Sequence, residues 1–307
     1  MKTTRKASHA RAAWREQRER SNLRIMRFMC WISLTCGRNA SRILLRGIAL
    51  YFLLFSPSAR TASRNYLERV LGRAVGWKQL YRHFFCFAGT IHDRIYLTAN
   101  RLEQFDIALD DLINLPEYTC RRGAILMGAH MGSFEALYAL GRTRPDLKVS
   151  LVMYEENARK LNQILAAINP ALRHDIISLG QIDTMIKIRD RLKNGYLVGI
   201  LADRTLREEP SRNIPFLGES AYFPYGPFRL AALLRCPVVF MAGLYRGGNR
   251  YSLHFDALAD FSETSHEEKE QYLINAMDNY VRFLEKYCRL APYNWFNFHD
   301  FWKEPRH

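Results

Sequence analysis

The chain carries no pair of cysteines at metal-ligand or redox spacing. Its six cysteines, Cys30, Cys36, Cys86, Cys120, Cys236 and Cys288, are scattered over 307 residues. That spread excludes a zinc knuckle and a disulfide framework and predicts reduced thiols in a cytosolic setting. Acidic residues are scarce at the start. Residues 1 to 82 hold only Glu16, Glu19 and Glu68 against 18 Lys and Arg, and the remaining 27 basic and 27 acidic residues cancel, so the net charge of +15 belongs to the N-terminal segment. The apolar run from Gly47 to Phe55, preceded by Arg46, is too short to span hydrocarbon, which takes about 20 residues. There is no internal repeat and no low-complexity tract. No zinc finger, helix-turn-helix or RNA-binding signature accompanies the charge, so no nucleic-acid partner is expected. A secretory leader is not expected either, because the basic stretch is long, the apolar part begins late, and Ser56-Pro57-Ser58-Ala59-Arg60 is a poor cleavage region.

What is present is a globular composition, 48% hydrophobic, in a chain long enough to bury a sizeable core. The N-terminal segment mixes arginine with large apolar side chains in Arg27-Phe28-Met29-Cys30-Trp31-Ile32 and from Arg42 to Phe55. Such a helix suits an anionic headgroup layer, where cations meet phosphate and rings enter the acyl boundary. We therefore expect an interfacial or monotopic anchor rather than a spanning helix; an ordinary buried core helix over Gly47 to Phe55 is the alternative. The division that follows is residues 1–100, basic, helical and membrane-associating, and residues 101–307, an α/β domain.

From Met26 to about Asn100 the pattern is helical. Beyond it, short β-branched runs alternate with amphipathic stretches, as in an α/β fold with a mixed, largely parallel central sheet flanked by helices. Strands are expected at Ala124 to Gly128, Val149 to Tyr154, Ile176 to Leu179, Tyr196 to Ala202, Val238 to Leu244 and Tyr251 to Phe255. Helices are expected at Ser133 to Leu140, Asn157 to Ile168, Asp183 to Lys193 and Pro227 to Leu234. A last one runs from about Ser265 to Cys288, behind the capping-box pattern Ser265-His266-Glu267-Glu268.

The chemistry concentrates at Gly128-Ala129-His130-Met131-Gly132-Ser133-Phe134-Glu135. An apolar strand ends, a histidine is presented in a turn, and a helix begins with Ser133 as a plausible N-cap. On one continuous helix a separation of five residues would put His130 and Glu135 about 140° apart. With His130 in the turn, the first helical residues can bring Glu135 back toward the imidazole, a pair suited to general base catalysis. Ligands of open α/β sheets bind beyond the carboxyl ends of the strands, which is where this turn falls. The bland alternative is a histidine capping the strand end beside a solvated glutamate. No second histidine sits at ligand spacing from His130, so no metal is expected.

Three further segments follow in order: Leu201-Ala202-Asp203-Arg204; then Ile214-Pro215-Phe216-Leu217-Gly218 with Ala221-Tyr222-Phe223-Pro224-Tyr225-Gly226-Pro227; and the aromatic ending Pro292-Tyr293-Asn294-Trp295-Phe296-Asn297-Phe298-His299-Asp300-Phe301-Trp302. With the His-x4-Glu element they resemble the lysophospholipid acyltransferase superfamily, and specifically its late lipid A biosynthesis acyltransferase branch, over roughly Arg121 to Trp302. The acidic segment from Met153 to Lys160 and the run from Gly243 to Tyr251 are also similar to relatives encoded with aryl polyene pathways.

The resemblance implies transfer of a fatty acyl group from acyl carrier protein or coenzyme A, as co-substrate, to a hydroxyl of a lipid or lipid-like acceptor. It needs no cofactor and no acyl-enzyme, and it places the protein at the cytoplasmic face of a bacterial inner membrane. It makes His130 the general base and Glu135 its orienting acid. Arg159, Asp203, Arg204, Phe223, Gly226 and Pro227 become substrate-binding candidates. Each has a plainer alternative: Arg159 as a solvated helix residue, Asp203 and Arg204 as a surface ion pair, and Phe223, Gly226 and Pro227 as a turn before a helix. Membrane lipid and an acidic acyl carrier protein are the expected partners. The rival readings are a lipid esterase or thioesterase using the same pair on water, and an inactive membrane adaptor.

Overall fold

A computed structural model describes residues 23–110, 122–141, 144, 147–154, 176–179, 183–205, 209–265 and 267–303. Three helices open it: α1 (Leu23–Phe55), α2 (Pro57–Leu71) and α3 (Trp77–Thr98). Helix α1 is broken at Gly37, whose φ of 79° and ψ of 164° lie outside the helical region. Beyond that break, residues four apart, Ser41, Leu45, Ala49 and Leu53, form a buried stripe, as the helical repeat requires. Ile43, Leu44, Leu50, Tyr51, Phe52, Leu54 and Phe55 are exposed on the opposite side. Pro57 starts α2, where a missing N–H costs nothing, and Gly72 ends it in the left-handed conformation.

No single helix among the described residues is long and apolar enough to cross a membrane. The segments Thr35–Phe55 and Pro57–Leu71 reach the required length and hydropathy only together, bent by 96°.

The rest of the chain adds β1 (Asp106–Asp110), β2 (Ala124–Gly128), α4 (Phe134–Gly141), β3 (Val149–Tyr154), β4 (Ile176–Leu179), α5 (Thr184–Lys193) and β5 (Leu197–Leu201). After these come β6 (Ser211–Phe216), β7 (Glu219–Pro224), α6 (Gly226–Leu234), β8 (Pro237–Gly247), β9 (Arg250–Asp260) and α7 (Lys269–Leu290). Seven strands form one sheet in the order β1-β9-β8-β2-β5-β3-β4. All neighbours pair parallel except β8 and β9, an antiparallel hairpin. The mixed, largely parallel sheet expected from the alternation is therefore observed. Its central strand β2 is buried on both faces, as a continuous apolar run between helix layers must be.

One hydrophobic core joins the helices to this sheet: Ala49 and Leu53 of α1, Tyr66 of α2 and Phe84 of α3 pack in the same cluster as Ile125, Val198 and Phe240. A buried ion pair reinforces the joint. Asp93 of α3 accepts a bidentate pair from Arg38, 2.8 Å on each oxygen, and a hydroxyl from Tyr251 of β9 at 2.9 Å. A planar guanidinium fork facing a carboxylate is the strongest such contact. The helix expected over Asn157 to Ile168 lies outside the described residues.

Candidate active site

Strands β2 and β5 are parallel neighbours in the register Gly128↔Leu201. Two residues past each of these lie His130 and Asp203, so the sheet alone brings the two side by side at its carboxyl edge. Asp203 is buried, and its Oδ1 lies 2.8 Å from His130 Nδ1. The other oxygen accepts the His130 backbone N–H at 3.0 Å and the Trp295 indole N–H at 2.9 Å. Burial opposes ionisation of Asp203, but the adjacent His130, then Arg204, and the hydrogen bond from Trp295 outweigh it and hold the carboxyl well below the usual carboxylate range. An ionised carboxylate only accepts. Nδ1 must therefore carry the proton, and the lone pair of Nε2, which has no hydrogen-bond partner among the described residues, is left for chemistry.

The turn carrying His130 is clamped by backbone contacts. Gly132 has φ +57°, and a Cβ there would sit 1.8 Å from the Gly243 carbonyl oxygen, so only glycine allows this approach. The Gly132 N–H donates to Asn294 O at 2.8 Å, Ser133 N–H to Gly243 O at 2.7 Å, and Phe296 N–H to His130 O at 2.8 Å. The Asn294 side chain in turn accepts from Tyr245 N and donates to Tyr245 O. The aromatic ending thus acts as a third wall that fixes the turn against β8.

Ser133 caps α4 by accepting from Ala136 N–H at 3.3 Å, while its hydroxyl donates to Glu135 Oε2 at 3.0 Å. Its hydroxyl is thus engaged locally as donor and acceptor, as the N-cap expected from the sequence. Glu135 does not reach the imidazole as its hydrogen-bond partner. Its other oxygen, Oε1, lies 2.7 Å from Arg94 Nε of α3. The separation of five residues across a left-handed glycine sends the α4 carboxylate toward α3 instead.

His130 and Glu135 share the wall of one cleft of about 540 Å³. Phe87, Thr90, Ile91 and Arg94 line one side, the spacing of a single face of α3. Leu151 and Met153 of β3 and Leu201 of β5 line the side toward the sheet, and Phe296 and Phe298 complete it. A Cβ on Gly199 would lie 2.2 Å from the Phe134 ring. Glycine there leaves room for the tip of the ring against β5, where it is part of the cleft lining. No group of three or more His, Cys, Asp or Glu side chains placed to hold a metal ion occurs among the described residues.

The sequence candidates distribute unevenly over this site. Arg204 lines the cleft and donates to Phe296 O at 3.2 Å. Phe223 does not line it: it is fully buried and packs edge-on against Phe216 and Phe301. Gly226 and Pro227 open α6, where Pro227 is buried, also off the cleft. Phe223 lies on the β6–β7 hairpin, outside the main sheet, and packs into the core behind the site, whereas Gly226 and Pro227 belong to the first turn of α6. Arg159 lies outside the described residues. Three residues were not singled out from sequence: Trp295 and Asn294, which clamp Asp203 and the turn, and Arg94. For the first two a signal existed, since both stand in the aromatic ending. Arg94 stands in an ordinary amphipathic helix with nothing to mark it.

A second, fully buried histidine supports the wall. His83 Nε2 lies 2.9 Å from Trp295 O and Nδ1 2.8 Å from the Ser63 hydroxyl. A carbonyl cannot donate, so Nε2 carries a proton. Burial lowers its pKa from 6.5 to about 4.

An open α/β sheet that presents a carboxylate-held histidine at its carboxyl edge, over a largely apolar cleft, has the layout of an α/β enzyme. The family can be stated more narrowly. The model of the bacterial lipid A biosynthesis acyltransferase family matches residues 17–304, and the chain belongs to that family. It is an acyltransferase of lipid biosynthesis. No curated protein matches the chain.

Proposed function

We propose that the protein transfers a fatty acyl group from a thioester, carried by acyl carrier protein or coenzyme A, to a hydroxyl of a lipid acceptor, with His130 as general base and Asp203 as the group that orients it. The observation that carries this reading is the Asp203–His130 contact at 2.8 Å with Nε2 left over the cleft. Nε2 takes the acceptor's hydroxyl proton as the oxygen attacks the thioester carbonyl. The tetrahedral intermediate collapses, the carbon–sulfur bond breaks, and the imidazolium returns the proton to the departing thiolate. Asp203 stays ionised throughout and stabilises the imidazolium. Arg204, on the same wall, is the cation available to the carbonyl oxygen as it gains charge. No covalent acyl-enzyme is needed.

The exposed apolar face of α1, together with Trp77 at the start of α3, suits the interfacial layer of a membrane, with the exposed basic residues Arg46, Arg73, Lys78 and Arg82 available to lipid phosphates. This would set the cleft, whose α3 wall includes the exposed Phe87 and Ile91, beside the lipid from which acceptor is drawn. The cytoplasmic face of an inner membrane is the side where the thioester donors are made. An acidic carrier protein would be attracted to the same basic surface.

The test is a labelled acyl thioester supplied with and without membrane lipid extract. Wild-type protein should yield labelled lipid only when extract is present, and His130→Ala should yield none while still binding vesicles. Label appearing as free fatty acid without extract would mean hydrolysis instead, and full transfer by His130→Ala would remove the mechanism.

A further inference from the structure

Two glycines on neighbouring strands face the same side of the sheet. Gly128 of β2 is in register with Leu201 of β5, and Gly199 with Leu126, so the alternation of strand side chains puts Gly128, Gly199 and Leu201 on one face. Leu151 of β3, in register with Gly199, and Met153 share that face. Neither glycine has a positive φ, so what they supply is space and not backbone freedom. The Phe134 ring, at the start of α4, occupies that space. A Cβ on Gly199 would lie 2.2 Å from its Cζ and 2.7 Å from its Cε1, and one on Gly128 would lie 3.6 Å from its Cδ2. The tip of the ring therefore points down onto β5. One layer further toward the amino ends of the strands, Ala124, Leu197 and Val149 are in register and belong to a closed core.

Phe134 and Gly199 both line the cleft that opens at His130. Asp203, which holds that base, comes four residues after Gly199, so the apolar lining runs down the sheet face for about 13 Å at the rise of a strand. We propose that the Phe134 ring, seated in the space left by the two glycines, is the stop of the acyl-chain pocket and sets the length of chain the enzyme transfers. This rests on the acyl-transfer reading above. The acyl chain is bonded to the carbon that is attacked, so it must begin at His130 whatever the acceptor is. A groove that begins at the base and closes on an aromatic ring therefore takes that chain. Leu151, Met153 and Leu201 along the way offer it no charge. A chain too long for the groove meets the ring and the closed layer behind it, and its carbonyl is held back from Nε2. One too short leaves apolar space unfilled, which forfeits binding. Because the ring and Gly199 line the same cleft, the space vacated by a smaller side chain at position 134 is continuous with it.

The test is a competition among decanoyl, lauroyl, myristoyl, palmitoyl and stearoyl thioesters, on acyl carrier protein and on coenzyme A, with membrane lipid extract as acceptor. Products of full-length wild type, Phe134→Leu, Phe134→Ala and Gly199→Ala are resolved by mass spectrometry. In Phe134→Ala the ratio of kcat/KM for the chain two methylenes beyond the wild-type optimum to that for the optimum itself should rise about tenfold or more, with Phe134→Leu between. Gly199→Ala, whose methyl displaces the ring into the cleft, should move the optimum toward shorter chains. Thermal unfolding checks each variant, and Phe134→Leu, which keeps most of the apolar bulk, carries the test if an alanine variant fails to fold.

A folded Phe134 variant whose activity falls equally at every chain length overturns the proposal and leaves the ring as core packing. So does a shift of either Phe134 variant toward shorter chains. Titration with the corresponding acyl thioethers of coenzyme A, which cannot transfer, reads the same shift in Kd and separates the two readings. If wild type shows no His130-dependent transfer while the thioether preference still moves with Phe134, the acyl-transfer reading fails and the stop stands. If transfer occurs and neither kcat/KM nor Kd changes its dependence on chain length, the stop alone fails.

Discussion

At the scale of residues, the site turns on which acid faces which base. Both His130 and Asp203 were visible in the sequence as polar residues just past apolar strands. Their partnership was not, because 73 residues separate them and only the β2–β5 register makes them neighbours. The nearer acid, Glu135, was the natural choice on spacing. The left-handed turn at Gly132, with its carbonyl contacts, is what redirects it. Gly132 is therefore a strict position. Gly132→Ala puts a methyl 1.8 Å from Gly243 O in a backbone conformation that already costs a non-glycine residue about 1 to 2 kcal/mol. It should lower the melting temperature and abolish transfer, and a calorimetric scan beside an activity assay checks both. A Gly132→Ala protein of wild-type stability and turnover would show that the turn is not clamped as described.

Among elements, the buried strands were legible because two-sided burial demands predominantly apolar runs such as Ala124–Gly128 and Val149–Tyr154. The polar ones were not. β1 reads Asp-Ile-Ala-Leu-Asp at the sheet edge, and β6 carries Arg, Asn and Pro outside the main sheet. Its hairpin turns through Leu217 and Gly218, both at positive φ, with leucine where Asn or Asp would have signalled a tight turn. The last helix begins at Lys269 rather than at Ser265, although the Ser265 hydroxyl and Glu268 do bond as the cap pattern suggests.

Helices α2 and α3 meet the aromatic ending at His83, and this joint carries a pH dependence. Its folded pKa of about 4 lies below the ordinary 6.5, so the unfolded chain binds the proton more readily. The stability is whole above about pH 6.5 and is lost as pH falls toward 4, by about 3 kcal/mol in total from this group. His83→Gln, which keeps hydrogen bonding without a titratable ring, should unfold with a shallower pH dependence over that window in denaturant titrations. An unchanged slope would mean that the ring is not held neutral. On α1, replacing Ile43, Leu50 and Phe55 with serine removes chiefly exposed apolar surface. Vesicle partitioning should fall about tenfold or more with the melting temperature nearly unmoved. Undiminished partitioning of a stable triple variant would place the membrane contact elsewhere.

The whole molecule joins a basic, apolar-faced helical layer to a catalytic sheet through one core. Composition located the charge but not this union: the packing of the α1 stripe against the sheet core and the Arg38–Asp93 fork are long-range contacts that no local pattern reveals. With +15 confined to residues 1 to 82, binding to anionic vesicles should weaken steeply as salt rises, since screening shortens to about 8 Å at physiological ionic strength. Binding to neutral vesicles should change little. A sedimentation series in both lipid types checks this, and equal salt dependence in the two would separate the charge from membrane docking.

Asp203→Asn tests the account's central claim most directly. The substitution keeps the shape beside His130 and Trp295 but removes the charge that fixes the imidazole, so the rate of labelled acyl-lipid formation should fall about a hundredfold or more while the protein stays folded. A folded Asp203→Asn protein that transfers at the wild-type rate would contradict it.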